Sequence, residues 1–281
     1  MNRNRPCYGL IAIALLICVI VIAPLYMMVA ISLKADEQQI LLDFGSWRAF
    51  WVWPWDISLA NYRIVLSDRQ APFLRFIFNS ALIVASIVIF GVLINSACAF
   101  ALSRLRFPGR QVLLAVIVAL IIIPMEALAI PLLLMMARVG WLETYQAQIV
   151  PFIAHPFSIF LFYQFFSKLP KDLDEAAFVE GATPLQVYWK IVMPLSLPVI
   201  ATVAILQSLE YWNAYLWPLM ITRGPATRPV SLALAQFFGT PPYLWGQLMA
   251  FSVMMSLPVL LLYLFFQRWF IQSVVNSAVK G

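Results

Sequence analysis

Side chains that could take part in chemistry are few in this 281-residue sequence. It has one histidine, His155, and two acidic residues, Glu126 and Glu210, that lie within apolar stretches. An enzyme acting in an apolar environment would need a nucleophile beside a base or a set of metal ligands, and the sequence has neither an HExxH pattern nor a Cys/His ligand spacing. It also lacks a GxxxxGK[ST] phosphate loop. We therefore predict no catalytic residue, no metal site and no bound cofactor in this chain.

Glu126 and Glu210 indicate either a polar path or a contact between membrane subunits. A charged side chain is costly in hydrocarbon and by default faces a cavity or a partner. Further hydrogen-bonding and aromatic groups accompany Glu210, as a sugar path would require. Both interpretations stay open for Glu210, whereas we favour the structural one for Glu126 and for His155. The candidate translocation path comprises Glu126, Gln207, Glu210, Tyr211, Asn213 and Tyr215.

The composition predicts that these residues are positioned by membrane-spanning helices. Hydrophobic residues make up 63% of the chain and charged residues 11%, against about 25% charged residues in soluble domains. A span needs about 20 apolar residues, and the first apolar run is too long for a signal peptide. Prolines 151 and 156 predict a kink in the fourth span. We expect one all-α transmembrane domain over residues 1–281, with six spans at about 9–33, 76–103, 111–137, 146–166, 195–222 and 245–267.

The positions of the basic residues predict the orientation in the membrane. Arg104, Arg106 and Arg110 lie between spans two and three without an acidic residue, and basic residues also occur near both termini. The positive-inside rule then places this loop and both termini in the cytoplasm. Because the basic residues are dispersed between apolar stretches and do not form a patch, we expect no nucleic-acid partner.

Residues 34–75 and 223–244 should lie on the outer side. The first segment contains four tryptophans (Trp47, Trp51, Trp53 and Trp55), which favour the membrane interface; stacking on a sugar is the alternative. The second segment is shaped by turn residues, with a short helix predicted over 229–238. Its candidate contact residues for an external partner, against the alternative of a plain surface loop, are Gly224, Pro225, Gly239, Pro241 and Pro242.

Residues 168–194, between spans four and five, are too polar to span a membrane and carry the signals of two short helices. Asp172 is a candidate N-cap of the first helix, and Gly181 provides a left-handed stop. Thr183 and Gln186 form a predicted capping box around Pro184. Such a helix-turn-helix could fit into a groove of another protein or lie in the lipid interface.

This segment resembles the EAA loop of ABC importer permeases. The family pattern is E-A-A-x3-G-x9-I-x-L-P. The chain has Glu175-Ala176-Ala177, Gly181, Ile191 and Met193-Pro194 at that spacing, with Met193 in place of leucine. The sequences at 78–80 (FNS), 107–110 (FPGR) and 211–218 (YWNAYLWP) are similar to the carbohydrate-uptake branch. Within that branch the chain most resembles the second permease subunit of maltose and glycerol-phosphate importers.

The resemblance implies a type I ABC importer permease fold in which the EAA loop is a coupling helix that docks into a cytoplasmic ATPase. The tail of such permeases, here Lys280 and Gly281, also reaches the ATPase. The partners it implies are an ATPase dimer that holds ATP and Mg²⁺, a second homologous permease, an extracytoplasmic binding protein and membrane lipid. The implied ATPase-coupling residues are Asp174, Glu175, Ala176, Ala177, Val179, Gly181, Ala182, Thr183 and Pro184.

The family also implies a location in the bacterial inner membrane and a carbohydrate or polyol substrate. Glycerol phosphate is the alternative substrate, although no cluster of arginines in the pore favours phosphate. A channel outside this family, or an intramembrane enzyme, is the alternative class of protein. A channel would need no docking loop, and the enzyme would need the catalytic groups that the sequence lacks.

Overall fold

The computed structural model describes residues 8–69, 71–239 and 243–278. Within these residues the chain is helical apart from turns, loops and one isolated β-bridge between Lys34 and Ile57. The helices are Tyr8–Ser32, Glu37–Asp43, Ala60–Ser67, Phe73–Arg104, Arg110–Leu120, Met125–Val139, Tyr145–Ile153, Pro156–Lys168, Asp172–Val179, Pro184–Val187, Met193–Leu195, Leu197–Trp212, Leu216–Ile221, Val230–Gly239 and Trp245–Ala278, with a 3₁₀ turn at Trp47–Phe50 and a π-helical turn at Tyr188–Val192.

Four stretches in the described part of the chain are long and apolar enough to cross a membrane. They are Gly9–Ser32, Phe73–Arg104, Tyr145–Lys168 and Trp245–Phe265. Two further pairs of helices meet the same test but are sharply bent, by 102° in the pair Arg110–Leu120 and Met125–Val139, and by 76° between Pro184–Leu195 and Leu197–Trp212. The count is therefore four spans, or six if each bent pair is one span.

The third predicted span, 111–137, is broken in the structure. The first arm ends at Leu120, and the second begins at Met125 after Pro124. Proline has no N–H for a helical hydrogen bond and disfavours helical geometry in the residue before it. Pro124 therefore occupies the N-cap position of the second arm, with extended φ and ψ of −70° and 145°.

The predicted kink of the fourth span is confirmed, and it has a specific partner. The helix breaks between Ile153 and Pro156. The buried Asn95 side chain bridges the break: its Nδ2 donates to the Ile153 carbonyl at 3.1 Å, and its Oδ1 accepts from the His155 N–H at 2.9 Å. His155 Nδ1 lies 2.9 Å from Ser158 Oγ. Asn95 thus satisfies backbone groups that the break leaves unpaired.

The predicted fifth span, 195–222, is also broken in the structure. Helix Leu197–Trp212 ends, and a short helix starts at Leu216. Pro218 has no N–H to donate to the Ala214 carbonyl four residues earlier. The Ser231 hydroxyl donates to that carbonyl at 2.6 Å instead.

The chain divides into two compact units, Met1–Leu74 with Ala233–Leu257, and Arg75–Leu232 with Pro258–Gly281. In the first unit, Lys34 Nζ pairs with Asp43 Oδ2 at 2.6 Å, and Asn61 Nδ2 donates to the carbonyls of Ser32 and Lys34. The tryptophan-rich segment belongs to this unit, and its four tryptophans are all exposed. The second unit contains the described residues that the sequence predicted to be functional, except Gly239, which belongs to the first unit.

Candidate functional site

The segment that resembles the EAA loop forms two short helices joined by a tight turn. The first helix is Asp172–Val179, so Asp172 is its first residue, and the prediction that Asp172 is the N-cap is wrong. The amides of Asp174 and Glu175 both donate to the Lys171 carbonyl, which makes Lys171 the N-cap, without a capping side chain. Asp172, Asp174 and Glu175 occupy the first turn, where negative charge favours the helix dipole.

The turn between the helices depends on Gly181, as predicted. Its φ is +83°, which glycine adopts without a Cβ penalty. The Gly181 N–H donates to the Phe178 carbonyl and the Ala182 N–H to the Ala177 carbonyl, the two bonds of a Schellman motif. The second helix begins with the predicted capping box: Gln186 N–H donates to Thr183 Oγ1 at 3.3 Å, and Thr183 N–H donates to Gln186 Oε1 at 2.7 Å.

The inner face of this segment is packed into a core of span helices. Ala177, Val187, Tyr188 and Val192 belong to a cluster with Ala99, Phe100, Ile117, Phe162, Phe166 and Val203. The Tyr188 hydroxyl lies 2.8 Å from Ser96 Oγ, and its ring centroid is 5.3 Å from that of Phe100. Because interiors are close-packed and resist deformation, a displacement of this segment must be passed on to the helices around it.

An ion pair holds the first helix against the end of the second span. Arg104 Nη1 lies 2.9 Å from Asp174 Oδ2, and Arg104 Nη2 donates to the Leu169 carbonyl at 3.0 Å. Burial raises the pKa of the Asp174 carboxyl, Arg104 lowers it, and the neighbouring Glu175 raises it. The Asp174 carboxylate therefore pairs with a residue of its own chain, although Asp174 was predicted to be one of the residues that contact the ATPase.

The outer face of the segment is apolar and open. Val179 is 89% exposed, and Phe178, Leu185 and Trp189 are about half exposed or more. Leu173, Glu175 and Ala176 are also exposed, while Ala177, which was among the predicted ATPase-coupling residues, is buried. Ala182 is half-buried, and Thr183 and Pro184 are exposed. Such an apolar surface on a tightly capped turn is suited to contact another protein.

Four of the six candidate path residues line one cavity of about 270 Å³. They are Glu126, Glu210, Tyr211 and Tyr215. Two of these residues flank the helix breaks, since Glu126 follows Pro124 and Tyr215 precedes Leu216. Glu210 Oε2 also lies 3.7 Å from His155 Nε2. The breaks in spans three and five thus bring the two intramembrane carboxylates to one cavity.

Gln207 and Asn213 do not line this cavity. Gln207 is 1% exposed and its amide faces Gly91, where an added Cβ would lie 3.0 Å from the Gln207 Oε1. Asn213 Nδ2 donates to the Leu209 carbonyl of its own helix. Gln148, which was not predicted from the sequence, also lines the cavity and donates to the Thr227 carbonyl at 2.8 Å. The sequence feature that could have identified Gln148 is a polar amide side chain within an apolar span.

The FNS sequence at 78–80 fixes the loop that follows residue 223. Asn79 Nδ2 lies within hydrogen-bonding distance of the carbonyls of Ala226 (3.1 Å) and Arg228 (2.8 Å), and its Oδ1 accepts from the Tyr145 hydroxyl. Ser80 Oγ accepts from the N–H of Val230, the first residue of helix Val230–Gly239, which was predicted over 229–238. Gly224 and Pro225 lie in this loop, and Gly239 ends the helix. Pro241, Pro242, Lys280 and Gly281 lie outside the described residues.

Residues 87–276 match the family model described as "Binding-protein-dependent transport system inner membrane component". The trehalose/maltose transport system permease protein MalG of Thermococcus litoralis is 31% identical over 271 residues, which cover 95% of each chain. The arabinooligosaccharides transport system permease protein AraQ of Halalkalibacterium halodurans is 34% identical over 228 residues, 81% of each chain. A bacterial ABC transporter structure for import of the acidic polysaccharide alginate contains a chain similar in fold, with a TM-score of 0.80 at 24% identity, covering 96% of this chain and 99% of that one.

Proposed function

Because this chain belongs to the family of binding-protein-dependent transport system inner membrane components, we propose that it couples ATP hydrolysis on partner subunits to the uptake of a carbohydrate or related polyol. It is a permease subunit of an ABC importer. The observation that carries the coupling proposal is the segment Asp172–Leu195, whose inner face is packed among span helices and whose outer face is apolar and exposed.

In the proposed mechanism, the ATPase binds the exposed tip of this segment and moves it when its two subunits close on ATP. The Schellman turn and the capping box keep the tip rigid, since they satisfy the backbone groups at both helix ends. Tyr188 and Val192 then pass the displacement to the span helices. ATP and Mg²⁺ reside on the ATPase, and this subunit has no catalytic role of its own.

The proposed partners are an ATPase dimer, a second homologous permease and an extracytoplasmic binding protein. Glu175, Ala176, Val179 and Gly181 form the proposed docking core, while Ala177 packs inward to support it. The loop over 223–230, which Asn79 and Ser80 fix in place, is the proposed contact for the binding protein. Both termini and the segment 168–194 are proposed to face the cytoplasm.

The substrate proposal depends on the relatives and on the charge of the cavity. Two permeases that are similar over most of the chain carry names referring to trehalose, maltose and arabinooligosaccharides. The cavity contains two carboxylates, Glu126 and Glu210, and no lysine or arginine among its lining residues. A neutral sugar or polyol would meet hydrogen-bonding groups there, whereas glycerol phosphate, the alternative, would meet like charge.

The docking proposal is tested by purifying the tagged chain with its partners. Glu175→Lys and Val179→Asp change exposed positions, so the permease should fold while the ATPase subunit is lost from the complex. Glu143→Lys makes the same charge reversal in a loop proposed to face the opposite side and should leave the ATPase bound. Retention of the ATPase by both docking variants would refute the assignment of this surface.

A further inference from the structure

A basic cavity of about 740 Å³ lies beside helix Asp172–Val179, the first helix of the proposed coupling segment Asp172–Leu195. Its walls come from the loop after the second span and from the start of helix Asp172–Val179. Four cations line it, namely Arg104, Arg106, Arg110 and Lys171. The two carboxylates in the lining are Asp174, already paired with Arg104, and Glu175. An excess of positive charge therefore remains at the cavity after internal pairing.

The cations of this cavity have unused capacity for hydrogen bonding. In the described part of the chain, neither Arg106 nor Lys171 makes an ion pair within 4 Å, and both are exposed. Arg104 is only 5% exposed, yet its Nε has no hydrogen-bond partner among the described residues. A buried donor without a partner carries a free-energy cost that an anionic acceptor would remove.

The start of the next helix adds backbone donors to the same cavity. Gly109, at φ +81°, is the N-cap of helix Arg110–Leu120 and provides no side chain to cap it. The first hydrogen bond of that helix is from the Leu113 N–H to the Gly109 carbonyl, so the N–H groups of the first turn have no capping side chain. Gln111 and Val112 of this turn line the cavity. A helix start of this kind favours a phosphate group.

The cavity lies where a lipid headgroup would be. Ser103 and Arg104 are the last residues of a membrane-length helix, and Gln111 and Val112 lie in the first turn of the following apolar helix. The lining therefore belongs to the boundary between hydrocarbon and water. Val112 is 69% exposed and Phe107 38% exposed, which provides apolar surface for acyl chains next to the cations. A soluble phosphate has no apolar part that could contact that surface.

We infer that this cavity binds the phosphate of an anionic phospholipid from the cytoplasmic leaflet, and that the bound lipid holds the coupling helix against the loop 105–110. The assignment to that leaflet rests on the proposed function and orientation. Basic pockets between helices on the cytoplasmic side are suited to such headgroups. Because Lys171 is the N-cap of the coupling helix, the lipid would add one more link between that helix and the spans.

The test uses the whole purified complex and phosphatidylglycerol as the probe. The variant R106Q/K171Q removes two cations of the cavity, and K168Q/K190Q removes two exposed cations of the same region that do not line it. Native mass spectrometry counts the phosphatidylglycerol retained by each complex as the lipid is titrated. Each basic residue near an anionic headgroup strengthens binding by about fivefold, so R106Q/K171Q should bind about 30-fold more weakly. The control should match the unmodified complex.

Four results would overturn the inference. Equal weakening in both variants would show general charge attraction, and unchanged binding in both would show that the cavity holds no lipid. Displacement of the lipid by inorganic phosphate at matched concentration would assign the site to a soluble anion. Loss of the ATPase from R106Q/K171Q with lipid retention unchanged would place the cavity in the ATPase contact. Counting bound lipid does not require transport, whereas co-purification of the ATPase tests the proposed function. The lipid site and the proposed function can therefore be refuted independently.

Discussion

Replacing Asp174 with leucine is expected to release the helix Asp172–Val179 from the end of the second span. The change leaves the Arg104 guanidinium, which is 5% exposed and 2.9 Å from the carboxylate, without its counter-charge. Removing one partner of a buried ion pair costs about 3 kcal/mol. Burial raises the pKa of the Asp174 carboxyl and is the largest influence on it, so the ionised pair is itself costly to bury. The double variant R104M/D174L should therefore lose less stability than either single variant.

The assay is amide hydrogen exchange of the whole complex, followed in peptides that cover residues 172–179. Exchange through local opening reports the free energy of that opening, and a loss of 3 kcal/mol corresponds to exchange that is roughly 100-fold faster. Glu180→Gln removes an exposed carboxylate at the C-cap of the same helix and serves as the control. If the free energy of local opening falls in the double variant by the sum of the two single losses, Arg104 and Asp174 do not act as a pair. The proposal that this ion pair holds helix Asp172–Val179 against the second span would then be wrong.

Three further predictions concern single hydrogen bonds or backbone positions. Gly181→Ala should cost about 1–2 kcal/mol from its left-handed backbone alone, since nothing lies within 4 Å of an added Cβ. ATP hydrolysis stimulated by the loaded binding protein should fall while the complex still assembles. Normal stimulation would count against the proposal that this turn must be rigid. Asn95→Ala should lower thermal stability by about 1–3 kcal/mol, because the part-buried Ile153 carbonyl and His155 N–H lose the buried Asn95 side chain as their partner. An unchanged melting temperature would contradict this. Tyr188→Phe should cost about 1 kcal/mol, and a double-mutant cycle with Ser96→Ala should show coupling unless the 2.8 Å contact is unimportant.

The sequence predicted the coupling segment well because its signals are local. The spacing of Thr183 and Gln186 and the position of Gly181 depend on neighbouring backbone groups only, and the structure confirms both. The first helix start was misplaced by one residue because three acidic residues stand near it, and an N-cap and a first-turn carboxylate look alike in sequence. Arg104 was interpreted only as an orientation signal, since its pairing with Asp174 joins residues 70 positions apart.

The breaks in the spans were harder to predict. Hydropathy averages over a window of residues, so a run interrupted by Pro124 or Pro218 still scores as one span. Whether a proline bends or breaks a helix depends on what satisfies the released backbone groups. For the Ala214 carbonyl that group is Ser231, which lies in a later segment. The cavity lined by Glu126 and Glu210 is formed at these breaks. Helical spacing in the sequence therefore could not predict which residues line it.

The bonds of Asn79 also bear on the order in which this protein folds. Its amide contacts carbonyls almost 150 residues later in the chain, so the loop over 225–230 cannot be fixed until the fifth span has been synthesised and inserted. Contacts of such sequence separation form late because closing the intervening chain is entropically costly. Asn79 and Ser80 thereby make the loop over 225–230 dependent on complete insertion. In a chain stalled after its fourth span the Asn79 amide lacks its acceptors, and the loop surface that we propose for the binding protein has not formed.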